Sequence, residues 1–257
     1  MSTYVVSDLH GQLQPFETGL KTINFSKDDQ LYVIGDVIDR GFESMKILQK
    51  IKEAPNMSMT IGNHELMMIN SVDPKGTIEC SGKNAGLWLE GNGGDTTYEE
   101  YRELPKQERI QLLQWLNTRP IITEITVNNK SFVLCHTFYS PKYAGIPVKD
   151  IPYDTAWLLV WESLLRDDSM HINIYRDYPD KTFITGHVPV FYTHEMTVTQ
   201  LKTPPSPYIQ DNLIDIDGGL SWGHTGVTNA AIFLRLDDMK HFAIPLDHTG
   251  FEDLAII

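Results

Sequence analysis

The first 61 residues alternate between two hydrophobic periods, and that alternation restricts the architectures open to the chain. Thr3 to Ser7 is a short apolar run, after which Leu13, Phe16, Leu20 and Ile23 recur at the spacing of one helical face. The pattern repeats: a run from Gln30 to Gly35, a helical stripe of Met45, Ile47, Leu48 and Ile51, then a third run from Met57 to Ile61. Short buried strands joined by amphipathic helices predict an α/β fold with right-handed crossovers and largely parallel pairing in this half. From about Asp73 to Gly94 the periodicity lapses and glycines gather, and a helical block follows around Arg109 to Leu116. We read about 73–118 as an inserted helical and loop region. Beyond Pro120 strands dominate: Ile121 to Val127 and Ser131 to Cys135 flank Asn128-Asn129-Lys130 as a hairpin, Thr182 to Thr185 is a further strand, and Ala230 to Leu236 with His241 to Ile244 makes a final hairpin. No repeat, low-complexity tract or linker interrupts the sequence, so a single domain over 1–257 is expected.

Each of the first three strands runs into a polar motif: Asp8-Leu9-His10-Gly11, Gly35-Asp36-Val37-Ile38-Asp39-Arg40-Gly41 and Gly62-Asn63-His64-Glu65. Ligand sites of α/β sheets form beyond the carboxyl ends of the strands, so the three motifs should converge. Two more histidines, His136 after Val133-Leu134-Cys135 and His187 after Ile184-Thr185-Gly186, also follow apolar strands. Asp8 and His10 sit two apart, where an extended backbone sends both side chains the same way. Carboxylates, imidazoles and one carboxamide oxygen suit divalent ions, and the set is too large for one tetrahedral site, so two metals are implied. Such donors accept manganese, iron, zinc, cobalt or nickel, with availability deciding between them, and manganese is the metal expected.

Charge narrows the substrate. With 34 acidic residues against 21 basic ones the net charge is −13, which leaves no broad basic surface for a nucleic-acid backbone. An anionic substrate would need strong local positive charge to enter this field, and metal ions would supply it. No apolar run approaches membrane-spanning length, the N-terminus lacks a signal-peptide pattern, and the two cysteines, Cys80 and Cys135, are too few for a disulfide framework. A cytoplasmic protein with no membrane partner is expected, its oligomeric state left open.

The ordered motifs Asp-x-His-Gly, Gly-Asp-x-x-Asp-Arg-Gly and Gly-Asn-His-Glu, followed by His136 and the Gly186-His187 pair, resemble the phosphoprotein phosphatase family within the calcineurin-like metallophosphoesterases. Trp88, Asn92-Gly93-Gly94 and Thr96 or Thr97 further resemble the bacterial and phage-type serine/threonine phosphatases and their dinucleoside tetraphosphatase relatives. The resemblance implies a sandwich of two mixed β-sheets flanked by helices. It implies that Asp8, His10 and Asp36 hold one ion and that Asp36, Asn63, His136 and His187 hold the other, Asp36 bridging. A hydroxide shared by the ions would attack the phosphorus, His64 would protonate the leaving group, Asp39 would orient His64, and Arg40 would contact substrate oxygens. Read by themselves, Asp39 also suits a helix-start carboxylate and Arg40 a surface ion pair.

Two departures bear on phosphate clamping. Ile61 stands where many family members carry arginine before Gly-Asn-His-Glu, and Trp161-Glu162-Ser163 stands for a Trp-x-Arg segment, with Arg166 a possible substitute one helical turn on. The resemblance implies a dimetal phosphomonoesterase acting on phosphoserine or phosphothreonine, with phosphotyrosine and small esters as further substrates. The alternatives are a dinucleoside tetraphosphate or other nucleotide pyrophosphohydrolase, and a metal-binding scaffold without turnover. The Asp39-Arg40-Gly41 run favours the phosphatase. His171, His194, His224, His241 and His248 match no ligand spacing, although the loop after Asp215-Ile216-Asp217-Gly218-Gly219 that carries His224 could border the substrate.

Overall fold

A computed structural model describes residues 1–164, 177–193, 203–223 and 228–247. Two five-stranded sheets, both mixed, carry the architecture. The first contains β1 (Thr3–Val6), β2 (Gln30–Ile34) and β3 (Met57–Thr60), paired in parallel, with the crossovers supplied by α1 (Leu13–Thr22) and α2 (Ser44–Glu53). The predicted strands are each one residue longer than observed, because the polar motif bends the backbone out of the sheet at Ser7, Gly35 and Ile61. The other side of β1 takes β9 (Ala230–Arg235), antiparallel, and β9 pairs with β10 (Lys240–Pro245), the expected final hairpin.

The second sheet runs in the order β4 (Ile122–Val127), β5 (Lys130–Cys135), β6 (Lys181–Thr185), β8 (Leu213–Asp215), β7 (Tyr208–Gln210). The β4–β5 hairpin turns on Asn128 and Asn129 alone, since Val127 faces Lys130 across the ladder. Both asparagines have positive φ, 49° and 63°, the turn whose twist matches that of the flanking strands. β5, β6 and β8 are mutually parallel, so their carboxyl ends share one edge, as those of β1, β2 and β3 do in the first sheet.

Alternation along the strands splits the core in two. Val5, Ile34, Ile232 and Leu234 of the first sheet meet Phe132, Leu134, Ile184 and Ile214 of the second, forming the interior of the sandwich. Their neighbours point the opposite way: Tyr4, Val6 and Val33 join Phe16, Leu48 and Ile51, and Val133, Cys135 and Phe183 join Tyr139, Leu159 and Val160. Leu159 and Val160 lie on α6 (Tyr153–Trp161), whose apolar run the sequence reading left without a helix. The 73–118 region holds a π-helical turn (Leu87–Gly91), α4 (Asp95–Glu103) and α5 (Lys106–Asn117), packed against α2 and the short α3 (Asn63–Ile69). Arg109, nearly buried there, donates to the carbonyls of Gly76, Arg102 and Leu104, so it braces the region. Cys80 and Cys135 are both free thiols. Among the described residues no helix is long and apolar enough to cross a membrane.

Gly19 on α1 tests the packing of this layer. A Cβ there would lie 2.0 Å from the ring of Phe233, which is itself stacked on Phe16 at 6.4 Å. Helix propensity alone favours alanine over glycine by about 1 kcal/mol, whereas overpacking a filled core costs about 1–3 kcal/mol. Gly19→Ala is therefore expected to lower the urea midpoint; a raised midpoint would show that Phe233 has room to move.

Candidate metal centre

The carboxyl ends of both parallel strand sets open onto one cavity of about 270 Å³, lined by His10, Asp36, Arg40, Asn63, His64 and His187 together with Asp217 and several aromatic rings. The loops after β1 and β2 are laced together before any ligand is considered. The N–H groups of Asp8, His10 and Gly11 donate to the carbonyls of Gly35, Asp36 and Val37 at 3.2, 3.0 and 2.8 Å. That lacing holds an unusual backbone. Asp8, His10, Asp36, Asp39, Arg40 and His187 all have positive φ, between 42° and 76°. Non-glycine residues enter this region at a cost and cluster there at functional sites.

Asp36 organises the centre. Its Oδ1 accepts the backbone N–H of His64 in the first turn of α3 at 3.1 Å, which turns Oδ2 inward. Around Oδ2 stand Nε2 of His136 at 3.2 Å, of His64 at 3.8 Å and of His10 at 3.9 Å. The ring orientations are imposed from behind. Nδ1 of His10 and of His136 face the carbonyls of Ile38 and Ile34, at 3.2 and 3.0 Å, and a carbonyl can only accept. Both rings therefore carry hydrogen on Nδ1 in their neutral form and aim the Nε2 lone pair into the cavity.

Asn63 joins the same cluster, its Oδ1 lying 3.0 Å from Nε2 of His136 and 3.1 Å from Nδ1 of His187. Asp8 receives the backbone N–H of His187 on both oxygens at 3.1 Å, with Oδ1 4.0 Å from Nε2 of His10. Gly186 permits that approach, since a Cβ there would fall 2.1 Å from Oδ2 of Asp8. Lone pairs thus converge from carboxylate, carboxamide and imidazole with almost no hydrogen between them. Such a set is stable only around positive charge, and it fits divalent cations of the borderline to hard kind. Two triads share Asp36: His10, Asp36 and His64 on one side, and Asp36, His136 and His187 on the other. All nine predicted site residues come together. The first triad contains His64 in place of the expected Asp8, so His64 is within ligand reach as well as acid reach.

Electrostatics follow from burial. Burial pushes Asp8 up to about 7 against the pull of His136, while for Asp36 the same penalty is outweighed by His136, His64 and His10, leaving it well below the carboxylate range. Burial opposes a charged His136, but Asp36 and Asp8 raise it to about 10. Without a metal, a proton on His136 is the charge that holds the lone pairs together, and metal entry must release it. Burial likewise disfavours the imidazolium of His64, yet Asp36 and the Asp39 hydrogen bond raise its pKa above the ordinary value.

Asp39 resolves its two readings in favour of His64. Its Oδ2 accepts Nδ1–H of His64 at 2.6 Å and the indole N–H of Trp88 at 2.8 Å. Its backbone N–H is held by Thr97 and Ser44 hydroxyls. Arg40 is exposed, braced by a hydrogen bond from its N–H to the Gly93 carbonyl, and is the one lysine or arginine among the described lining residues. Ile61 is fully buried and Arg166 lies outside the described residues, as do His171, His194, His224 and His248, while His241 is exposed on β10.

Sequence reading gave Glu65 no role, yet it is completely buried and its carboxylate receives the N–H groups of Asp36, Val37, Ile38 and Gly62 at 3.0, 2.7, 3.4 and 2.9 Å. The signal was available in a glutamate three residues after a helix-capping glycine. In the sequence Asp217 stands only as part of a loop. It lines the cavity, and burial together with Asp8 pushes its pKa well above the carboxylate range.

Residues 1–227 match the family model described as calcineurin-like phosphoesterase. The chain is 31% identical over 191 residues to a serine/threonine-protein phosphatase 2 of Salmonella typhimurium, covering 74% of this chain and 81% of that one. It is 27% identical over 145 residues to a symmetrical bis(5'-nucleosyl)-tetraphosphatase of Glaesserella parasuis, covering 56% of this chain and about half, 47%, of the relative. A crystal structure of a putative diadenosine tetraphosphatase superposes with a TM-score of 0.56 at 14% identity, covering 95% of this chain and 92% of the other, a likeness of fold.

Glu65→Gln replaces one acceptor oxygen by an amide N–H facing backbone donors. Burial, with Asp36, pushes Glu65 up to about 7, so above that pH, where the carboxylate is charged, the substitution is expected to destabilise the metal-free protein by about 2–4 kcal/mol in urea unfolding, through loss of a buried charged acceptor and a donor left facing donors. An unchanged midpoint would show that the β2 loop is held without it.

Proposed function

The chain belongs to the calcineurin-like phosphoesterases, and from that premise we propose that it is a dimetal phosphomonoesterase that acts on phosphoserine or phosphothreonine in proteins and also on phosphotyrosine and small esters. The observation that carries the reading is the sharing of Asp36 between two donor groups beside a histidine whose far nitrogen is clamped by a carboxylate. A pair of divalent ions in these donors would acidify water and offset the negative charge of the phosphate oxygens. Manganese is the first candidate.

Asp8, His10 and Asp36 would hold one ion, and Asp36, Asn63, His136 and His187 the other. His64 acts as general acid. Nδ1 is fixed by Asp39, so the proton given to the departing ester oxygen comes from Nε2, the atom that faces the cavity. Trp88 in turn fixes Asp39, so the π-helical turn of the 73–118 region aligns the acid from a distance. Arg40 offers a planar fork to phosphate oxygens at the rim.

The similarity to a serine/threonine-protein phosphatase 2 supports a phosphoprotein substrate. The similarity to a bis(5'-nucleosyl)-tetraphosphatase supports a nucleotide pyrophosphohydrolase as the second reading. Turnover of a phosphoserine peptide measured against that of a dinucleoside tetraphosphate separates them, and exclusive turnover of the latter would overturn the first.

Chelation is expected to abolish turnover and manganese to restore it; full activity in protein shown metal-free by elemental analysis would contradict the dimetal reading. Asp36→Asn should remove activity and lower the occupancy of both ions, because a neutral amide replaces the charge they share.

His64→Ala separates acid from ligand. Turnover of alkyl phosphates should fall roughly 10²–10⁴-fold with both metals retained, while an aryl phosphate with a low-pKa leaving group should lose distinctly less. Trp88→Phe should show the same leaving-group dependence in milder form. Equal losses on both substrates, or a missing ion in the His64 variant, would make His64 a ligand instead.

A further inference from the structure

The mouth of the cavity carries two large aromatic rings that the phosphate chemistry leaves unused. Tyr192 is 44% exposed and Trp222 37% exposed, yet both line the same cavity as Asp36, Asn63 and His64. They are not loose. Phe191, fully buried behind them, lies 4.5 Å from the Tyr192 ring and 6.3 Å from that of Trp222, and the two exposed rings are 6.4 Å apart. The turn bearing Trp222 is pinned by buried Asn229, whose amide donates to the carbonyls of Gly219 and Gly223 at 3.3 and 2.9 Å. Its other end is tied by Val190 N–H to the Asp217 carbonyl at 2.9 Å.

Exposed rings on a fixed support, continuous with a phosphate-sized polar site, fit a ligand that has a flat apolar face next to its phosphate. We propose that Tyr192 and Trp222 form a ring-binding wall that makes the site prefer phosphate esters bearing an aromatic ring, over esters of simple alkyl alcohols. The inference rests on the phosphatase reading for where the phosphate sits. The ring can come from phosphotyrosine or from the base of a small nucleotide, since each presents a face to stack. Polynucleotides are disfavoured by the charge of −13. Stacking and edge contacts of this kind correspond to roughly 3–30-fold in affinity.

Phenylphosphonate and methylphosphonate, neither of which can be hydrolysed as an ester, test the wall by calorimetric titration of manganese-loaded protein. The phenyl compound should bind tighter by that factor. The ratio should fall towards one in Tyr192→Ala and Trp222→Ala and be largely kept in Trp222→Phe, with near-ultraviolet circular dichroism verifying the fold of each. Displacement of phenylphosphonate by phosphotyrosine, adenosine 5'-monophosphate and phosphoserine then assigns the ring. Stronger displacement by either ring-bearing ligand supports the wall and names its source; displacement no stronger than by phosphoserine overturns it. Equal binding of the two phosphonates, or a ratio untouched in both alanine variants, also overturns it. Binding does not need turnover. A protein that shows the ring preference but hydrolyses no phosphomonoester would refute the catalytic reading and leave the wall standing, and a phosphatase without the preference would do the reverse.

Discussion

The carboxylate of Glu65 gathers four backbone N–H groups from two loops that have no ladder to join, three from the turn after β2 and one from Gly62. A buried charge survives only when its hydrogen bonds are complete, and here the completing donors are those of the residues that must be placed. With Glu65 in position Asp36 is forced into left-handed backbone, its Oδ1 reaches the first turn of α3, and its Oδ2 is left to face three imidazoles. The donor geometry of the centre is thus a consequence of a group that no substrate touches.

Orientation is supplied from behind throughout the site. The backbone carbonyls of Ile34, at the end of β2, and of Ile38, in the loop after it, set the tautomers of His136 and His10, and Asp39 with Trp88 sets that of His64. Each ring presents one nitrogen to the cavity because its other nitrogen is already committed. Six residues in the left-handed region carry local strain, and the inter-loop hydrogen bonds from Asp8, His10 and Gly11 hold it in place. Rigid placement before a ligand arrives is what electrostatic catalysis requires.

The alternation of strand and helix before residue 61 was readable because burial on both faces of parallel strands leaves uninterrupted apolar runs, and the helices between them bury one stripe. The Asn128-Asn129 turn was readable because asparagine tolerates positive φ. The cluster around Asp36 was readable because its members lie within a few residues after a strand end, and the resemblance picked the ligand candidates out of it. Contacts made across the chain were not. Nothing local to Trp88 says that its indole reaches Asp39, 49 residues away, and α6 is apolar on so much of its surface that its run does not separate helix from strand. Strands β7 and β8 are three residues each, below the length at which a period can be recognised. Glu65 had a visible signal and no visible purpose, since its partners are backbone amides without sequence identity.

β1 lies between β2 and β9, and Tyr4 and Val5 pair with Arg235 and Leu234. As the chain leaves the ribosome, β1 can find β2 at once, but its second edge stays open until the far strand has been synthesised. At roughly 5–20 residues per second that interval is about 10–40 s. An open edge beside Val5, whose side chain belongs in the sandwich interior, is a template for pairing with other chains. The nascent chain therefore passes through a window in which β1 keeps one edge unpaired, and pairing of that edge with other chains competes with completion of the sheet.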